Sequence, residues 1–266
     1  MPDRINRRSI SLVTACLTAV AVAVVTVGLA PSASAHHGSP IGKTGGTASA
    51  PAPAPRPATP APAPANPAAP TQSQPSKVSG TLDIGSSGDG VRAVEERLSS
   101  LKYWLPNVDD TYDDDTYQAV MAFQKVHRLD RTGVVTPSVW SAMEKASDPA
   151  PSVSNGAGNR VEVDLGRQVL FLYEGGGLSK IFAMSSGTAD TPTPTGDYRI
   201  YSRSTGWETS RLGRLYNSQY FVGGYAIHGS LSVPNYPASH GCVRLTMSAA
   251  EWFPQHVGIG TPVHVR

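Results

Sequence analysis

RVEVDLGRQVLFLYEGG, residues 160–176, alternates apolar and polar side chains: Val161, Val163 and Leu165, then Val169 and Phe171, with a turn at Gly166 between them. A period of two places one set of side chains on one face of an extended chain, so the stretch predicts two strands about a turn. KIFAMSSG, DYRIYSR, QYFVGGYAIHG and PVHVR are further short strand candidates, punctuated by Gly and Pro. A single helix, SAAEWF, is expected among them. Residues 159–266 therefore read as one mainly β domain, long enough to bury a core.

Upstream the period changes. DPAPSVSNGAG, residues 148–158, is a linker by composition. Residues 79–147 before it read as a small three-helix module. In GDGVRAVEERLSSLKYW, Val91, Val94, Leu98 and Leu101 recur at helical spacing, with Asp89 as the expected cap. DDDTYQAVMAFQKVHRL gathers Tyr117, Val120, Met121 and Gln124, with Phe123 beside them, behind an acidic start that suits the positive end of a helix dipole. TPSVWSAMEKA opens a third helix, with Thr136 as cap and Pro137 in its first turn. The fold class is thus multi-domain, a three-helix module followed by a mainly β domain. Taken alone, the module fits a structural spacer; it is acidic, with 12 Asp and Glu to 7 Lys and Arg over residues 79–150.

The first 78 residues predict no core. Residues 36–78 repeat Ala-Pro and read as a semi-rigid polyproline II spacer. Residues 1–35 read as an export signal: Arg4, Arg7 and Arg8, an apolar run from Ile10 to Ala30, and a small-residue cleavage site ending at Ala35. The rival is an uncleaved anchor, which Thr14, Thr18, Thr26 and Gly28 weaken by diluting the run. Arg7-Arg8 only partly fits a twin-arginine signal, and the apolar run before Cys16 is too short for a lipoprotein signal. The whole chain carries a formal +2, and its first 35 residues hold three Arg against one Asp, so the remainder is formally neutral. No basic footprint for nucleic acid is present.

Losing the signal removes Cys16 and leaves Cys242, in SHGCVRL (239–245), as the one thiol of the exported chain. Exported proteins pair most cysteines, so an odd one is an intermolecular bridge, a reactive thiol or a buried core residue. The neighbours favour reactivity. His240 and Arg244 lie two residues away on either side, and His228 fourteen residues earlier. On a strand, His240 and Arg244 would share the face of Cys242, and Gly241 leaves the backbone beside the sulfur uncrowded for amides facing an oxyanion. Spacing leaves open which His is the base. Zinc held by Cys242, His240 and His228 is the competing reading, although no C-x-x-C or H-E-x-x-H pattern supports it. A structural cysteine with incidental histidines is the bland one.

Two resemblances bear on the choice. LDIGSSGDGVRAVEERLSSLKYW through GVVTPSVWSAM is similar to the helical peptidoglycan-binding domain appended to many wall enzymes: it shares the opening Gly-x-x-Gly, V-x-x-V-x-x-x-L, the A-V-x-x-F-Q centre and the closing G-V-x-T. VDLGRQVLFLY, TPTPTGDYRIYSR, IHG at 227–229 and SHGCVRL together resemble the L,D-transpeptidase catalytic domain of the YkuD type, over residues 159–266. That resemblance implies a YkuD-like β-sandwich, no cofactor or metal, and peptidoglycan stem peptides as partners. Cys242 would be the nucleophile and His228 the base, oriented by the Gly229 carbonyl. His240, Gly241 and the Cys242 amide would shape the site and its oxyanion hole, Ser239 would orient a neighbour, and Arg244 would anchor the loop or face a substrate carboxylate. Of the tyrosines, Tyr220 and Tyr225 are candidates to contact substrate, as is Tyr216; Trp207 and Trp252 read as core. The implied reaction is acyl transfer from a tetrapeptide stem with loss of D-Ala, giving a 3→3 crosslink in the wall outside the membrane. An L,D-carboxypeptidase, an enzyme attaching protein to wall, and a wall-binding protein without turnover are the alternatives. Eleven residues separate His228 from His240, fewer than in many members, so that loop is compact.

Overall fold

The computed structural model describes residues 78–149 and 157–266. The export signal at 1–35, the spacer except for its last residue, and most of the 148–158 linker lie outside the described residues. That last residue, Val78, is buried in the helical core. Among the described residues no helix is long and apolar enough to cross a membrane.

Three helices form the upstream module: α1 (Asp89–Ser100), α2 (Asp114–Val126) and α3 (Pro137–Lys145). The anticipated stripe of Val91, Val94, Leu98 and Leu101 is buried, as are Val120, Met121, Phe123 and Gln124. Asp89 is not the cap of α1; Gly88 is, at φ +100°, and Asp89 is the first helical residue, where its charge still faces the positive end of the dipole. The other caps are side chains. Asp113 accepts from the Thr116 N–H at the start of α2, and Thr136 from the Val139 N–H ahead of Pro137. Two polar side chains inside the module are fully paired. Glu95 accepts from the Asp109 and Asp110 amides and the Thr116 hydroxyl; Gln124 bonds the amides of Thr132 and Gly133 and the carbonyl of Val134.

Two five-stranded sheets follow. The first runs in the order β3 (Gly177–Ala183), β2 (Val169–Glu174), β1 (Arg160–Asp164), β10 (Pro262–Val265), β4 (Gly196–Arg199), with β1 and β10 parallel. The second runs β5 (Ser202–Arg203), β7 (Gly213–Val222), β8 (Tyr225–Gly229), β9 (Val243–Leu245), with β6 (Trp207–Ser210) paired to β7 and with β8 and β9 parallel. Val161, Val163, Leu170 and Leu172 of the first sheet and Phe221, Ile227, Val243 and Leu245 of the second share one buried core. A helix, α4 (Met247–Trp252), follows β9.

The other face of the first sheet is buried too. Val169, Phe171 and Tyr173 of β2, with Ile181 and Ala183 of β3, join Phe123 and the rest of the helical core in a single apolar cluster. This is why VLFLY is an unbroken apolar run: both faces of the strand are covered. The module therefore shares its core with the β domain and is no tethered bead. At the seam sits Lys125 of α2, 1% exposed, with its Nζ donating to the Met184 carbonyl at 2.9 Å. Burial drives its pKa from 10.5 down to about 7, assisted by the charge of Arg131.

One aromatic expectation fails. Trp207 is not core: it is 41% exposed on β6, with the Arg214 guanidinium over its ring and Tyr216 alongside. On this strand at the sheet edge the cation over the ring and the Tyr216 ring beside it stand in for core neighbours. Trp252 does pack against the inter-sheet core, beside Trp104 and Phe182.

Candidate active site

The parallel pairing of β8 with β9 sets the site. Ile227 lies opposite Val243, His228 opposite Arg244 and Gly229 opposite Leu245. Ile227, Val243 and Leu245 point into the inter-sheet core. Strand alternation then sends His228 and Arg244 to the other face, and Cys242, one residue before β9, follows them. There they line a cavity of about 510 Å3 together with Ser239, His240, Tyr220, Tyr225, and the residues 210–215 that join β6 to β7.

His228 is buried, and its Nδ1 lies 2.8 Å from the Gly229 carbonyl oxygen. A carbonyl only accepts, so Nδ1 carries the hydrogen and Nε2 the lone pair. Burial pushes the imidazole pKa below its ordinary value, and the Arg244 charge acts in the same direction against the opposing Gly229 bond. The Cys242 thiol is half-buried, 3.9 Å from the Gly224 carbonyl oxygen. Burial pushes its pKa up, more than the Ala226 N–H and Arg244 pull it down. Both shifts favour a neutral thiol and a neutral imidazole at rest, so a thiol in this setting would need a base to become a nucleophile.

The turn before Cys242 is clamped from inside. The Ser239 hydroxyl donates to the Cys242 carbonyl at 2.5 Å and accepts from the Gly241 N–H at 3.0 Å. Ser239 thus closes its own turn, and the Gly241 amide, expected at the oxyanion, is spent on it in this geometry. Gly241 sits at φ +113°, and a Cβ there would fall 2.2 Å from the Tyr225 ring. Only glycine fits both constraints. From outside, the turn leans on residues 185–193: Ser186 O accepts from the amides of Ala238 and Ser239, Thr188 N–H and the Thr191 hydroxyl donate to Ser239 O, and Ser185 pairs with Arg244. Gly187 packs so tightly here that a Cβ would meet the Gly241 Cα at 2.8 Å.

Every residue singled out from the sequence except Gly229, Gly241 and Tyr216 lines the cavity. Gly229 and Gly241 act through backbone atoms. Tyr216 points elsewhere, its hydroxyl donating to Glu251 at 3.4 Å. Tyr225 covers Gly241, while the Tyr220 hydroxyl donates to Glu208 at 2.7 Å and is pushed up to about 12 by burial and that carboxylate. Sequence reasoning missed the hairpin of β6 and β7, which brings Arg211, Leu212 and Arg214 to the cavity. WETS and GRLY around Gly213 were its signal, too short to stand out. Among the described residues no group of three His, Cys, Asp or Glu is placed to hold a metal ion.

Comparison with known proteins places these features. Residues 158–265 match the L,D-transpeptidase catalytic domain (YkuD), and residues 87–143 match a peptidoglycan binding domain. The crystal structure of an L,D-transpeptidase from Xylanimonas cellulosilytica (residues 123–326) is similar over 71% of this chain and 98% of its own, at 38% identity and a TM-score of 0.67. Among curated proteins, the N-acetylmuramoyl-L-alanine amidase CwlL of Bacillus licheniformis is 38% identical over 74 residues; the chain spans 21% of that relative's length.

Proposed function

The chain belongs to the L,D-transpeptidase family, with a YkuD-type catalytic domain behind a peptidoglycan binding domain, and from that premise we propose that it is an exported wall enzyme forming 3→3 crosslinks through a thioester on Cys242. The observation that carries the reading is the Nδ1–H bond from buried His228 to Gly229 O, which leaves the other imidazole nitrogen basic on the strand that pairs with the Cys242 segment.

In this reading His228 Nε2 takes the Cys242 proton as the sulfur attacks the carbonyl of the third stem residue. The tetrahedral oxyanion faces the Cys242 N–H. Collapse breaks the bond to the terminal D-Ala, whose amine leaves with the proton returned by His228. A side-chain amine of a second stem then attacks the thioester, His228 accepts its proton, and the thiolate departs and is reprotonated as the new amide forms. Base and nucleophile are assigned by role, and the Gly229 carbonyl is the orienting third member. Arg244, with no hydrogen-bond partner for its guanidinium among the described residues, is free to meet a stem carboxylate with a planar fork.

Peptidoglycan lies outside the membrane, and the signal read at residues 1–35 supports export. The product test uses residues 36–266 with a disaccharide-tetrapeptide. Crosslinked dimer with released D-Ala supports the reading; tripeptide alone makes the enzyme a carboxypeptidase; neither product from folded, reduced protein removes the catalytic reading.

A further inference from the structure

The loop from Ser230 to Ala238 joins the strand of His228 to the turn of Cys242, and much of what holds it comes from the helical module. The Arg131 guanidinium donates to the Asn235 carbonyl at 3.1 Å, and the Asn235 amide donates back to the Arg131 carbonyl at 2.8 Å. Gln118 of α2 donates to the Val233 carbonyl at 3.2 Å. Arg131 also reaches the Gly166 carbonyl at 3.3 Å, so one planar fork ties the loop to the turn between β1 and β2. From the β domain, Ser185 donates to the Tyr236 carbonyl at 2.8 Å, and the buried Lys125 Nζ of α2 holds the carbonyl of Met184, the residue before Ser185. The loop therefore sits between two supports, one of them built by the module.

We propose that the helical module is a positioning element for the catalytic loop, acting chiefly through Arg131, in addition to any role in binding the wall. The proposal rests on the reading of Cys242 and His228 as nucleophile and base. A nine-residue connection without side-chain anchors samples many conformations, each anchor removing some of that freedom. Because Ala238 and Ser239 lead directly into the Ser239–Cys242 clamp, slack in the loop reaches the thiol and its oxyanion donor without any change in the substrate's own contacts.

The experiment compares the full chain with Arg131→Ala, Arg131→Lys and, as a control on the same module, Arg92→Ala, which breaks only an exposed pair with Asp110. Amide hydrogen exchange over residues 230–242 reads the loop whether or not the protein turns over. Arg131→Ala is expected to speed that exchange and to lower kcat about tenfold with the tetrapeptide KM nearly unchanged, since misplacement from afar acts on the chemical step. Arg131→Lys keeps one donor and falls between, and Arg92→Ala matches the parent chain. Unaltered loop exchange in a folded Arg131→Ala, a change confined to KM, or an equal effect from Arg92→Ala would overturn the proposal. Faster loop exchange in a chain that never acylates would instead leave the brace standing and remove the catalytic reading beneath it.

Discussion

The two walls of the cavity are built differently. On one side, the turn at Ser239–Cys242 and the loop before it are bonded to residues 185–193, to α2 and to Arg131. On the other, among the described residues the tip of the β6–β7 hairpin bonds only to itself: the Leu212 N–H donates to the Ser210 hydroxyl and that hydroxyl to the Gly213 carbonyl. Arg211 and Leu212 are exposed there. The contrast separates two tasks. Acyl transfer needs the sulfur, base and oxyanion donor fixed within a fraction of an ångström, so that wall is over-determined. A branched, bulky wall polymer needs room to enter, and a hairpin held only at its base adapts at small cost.

Substitutions should therefore behave differently on the two sides. Gly241→Ala attacks the fixed wall hardest, because it imposes both a strained φ and a clash with Tyr225. Turnover is expected to fall by about 100-fold or more while circular dichroism stays native; a near-normal kcat would show that the wall is not fixed. Ser239→Ala removes both bonds of the internal clamp, for an expected loss of about tenfold in kcat. If that loss appears in KM instead, the clamp belongs to substrate binding.

The hairpin should respond weakly. Arg211→Ala and Leu212→Ala are expected to raise KM for the stem by about two- to fivefold at unchanged kcat, the range of exposed contacts. A large kcat effect there would erase the distinction between the walls.

Protonation sharpens the same comparison, since Cys242 sits on the fixed wall and His228 on the strand that leads into it. Lowering the His228 pKa keeps it a base where an ordinary imidazole is already protonated, and raising the Cys242 pKa delays spontaneous thiolate formation. The pH–rate profile for acylation should keep its acid limb below 6.5 and its alkaline limb above 9.0. An acid limb above 6.5 would contradict the lowered imidazole pKa.

The smallest effect concerns Lys125. Its folded pKa is depressed, so between about 7 and 10.5 the unfolded chain binds the extra proton and stability rises with pH. The melting temperature should climb from pH 7 to about 9.5, and Lys125→Met should flatten that slope. Buried Tyr103 and Tyr112, both pushed up by burial, oppose the trend only at higher pH.

Much of this was legible in residues. Helical spacing placed Val91, Val94, Leu98 and Leu101 correctly, and SHGCVRL with IHG located the floor of the cavity, because both signals are local. What the sequence hid was long-range or two-sided. The unbroken apolar run VLFLY signals a strand covered on both faces, but that the helical module supplies the second cover is a long-range fact no local period carries. Trp207 read as core, and the strand pairing shows it at a sheet edge. The use of the Gly241 amide by Ser239 depends on one hydroxyl rotamer, beyond any spacing argument.

The most direct test of the central claim is intact mass spectrometry of the purified chain with a disaccharide-tetrapeptide, run beside Cys242→Ala and His228→Ala. The account predicts an acyl adduct on the parent chain with D-Ala released, none on Cys242→Ala, and formation slowed by roughly a hundredfold or more on His228→Ala. An adduct that survives the loss of Cys242, or forms at full rate without His228, would contradict it.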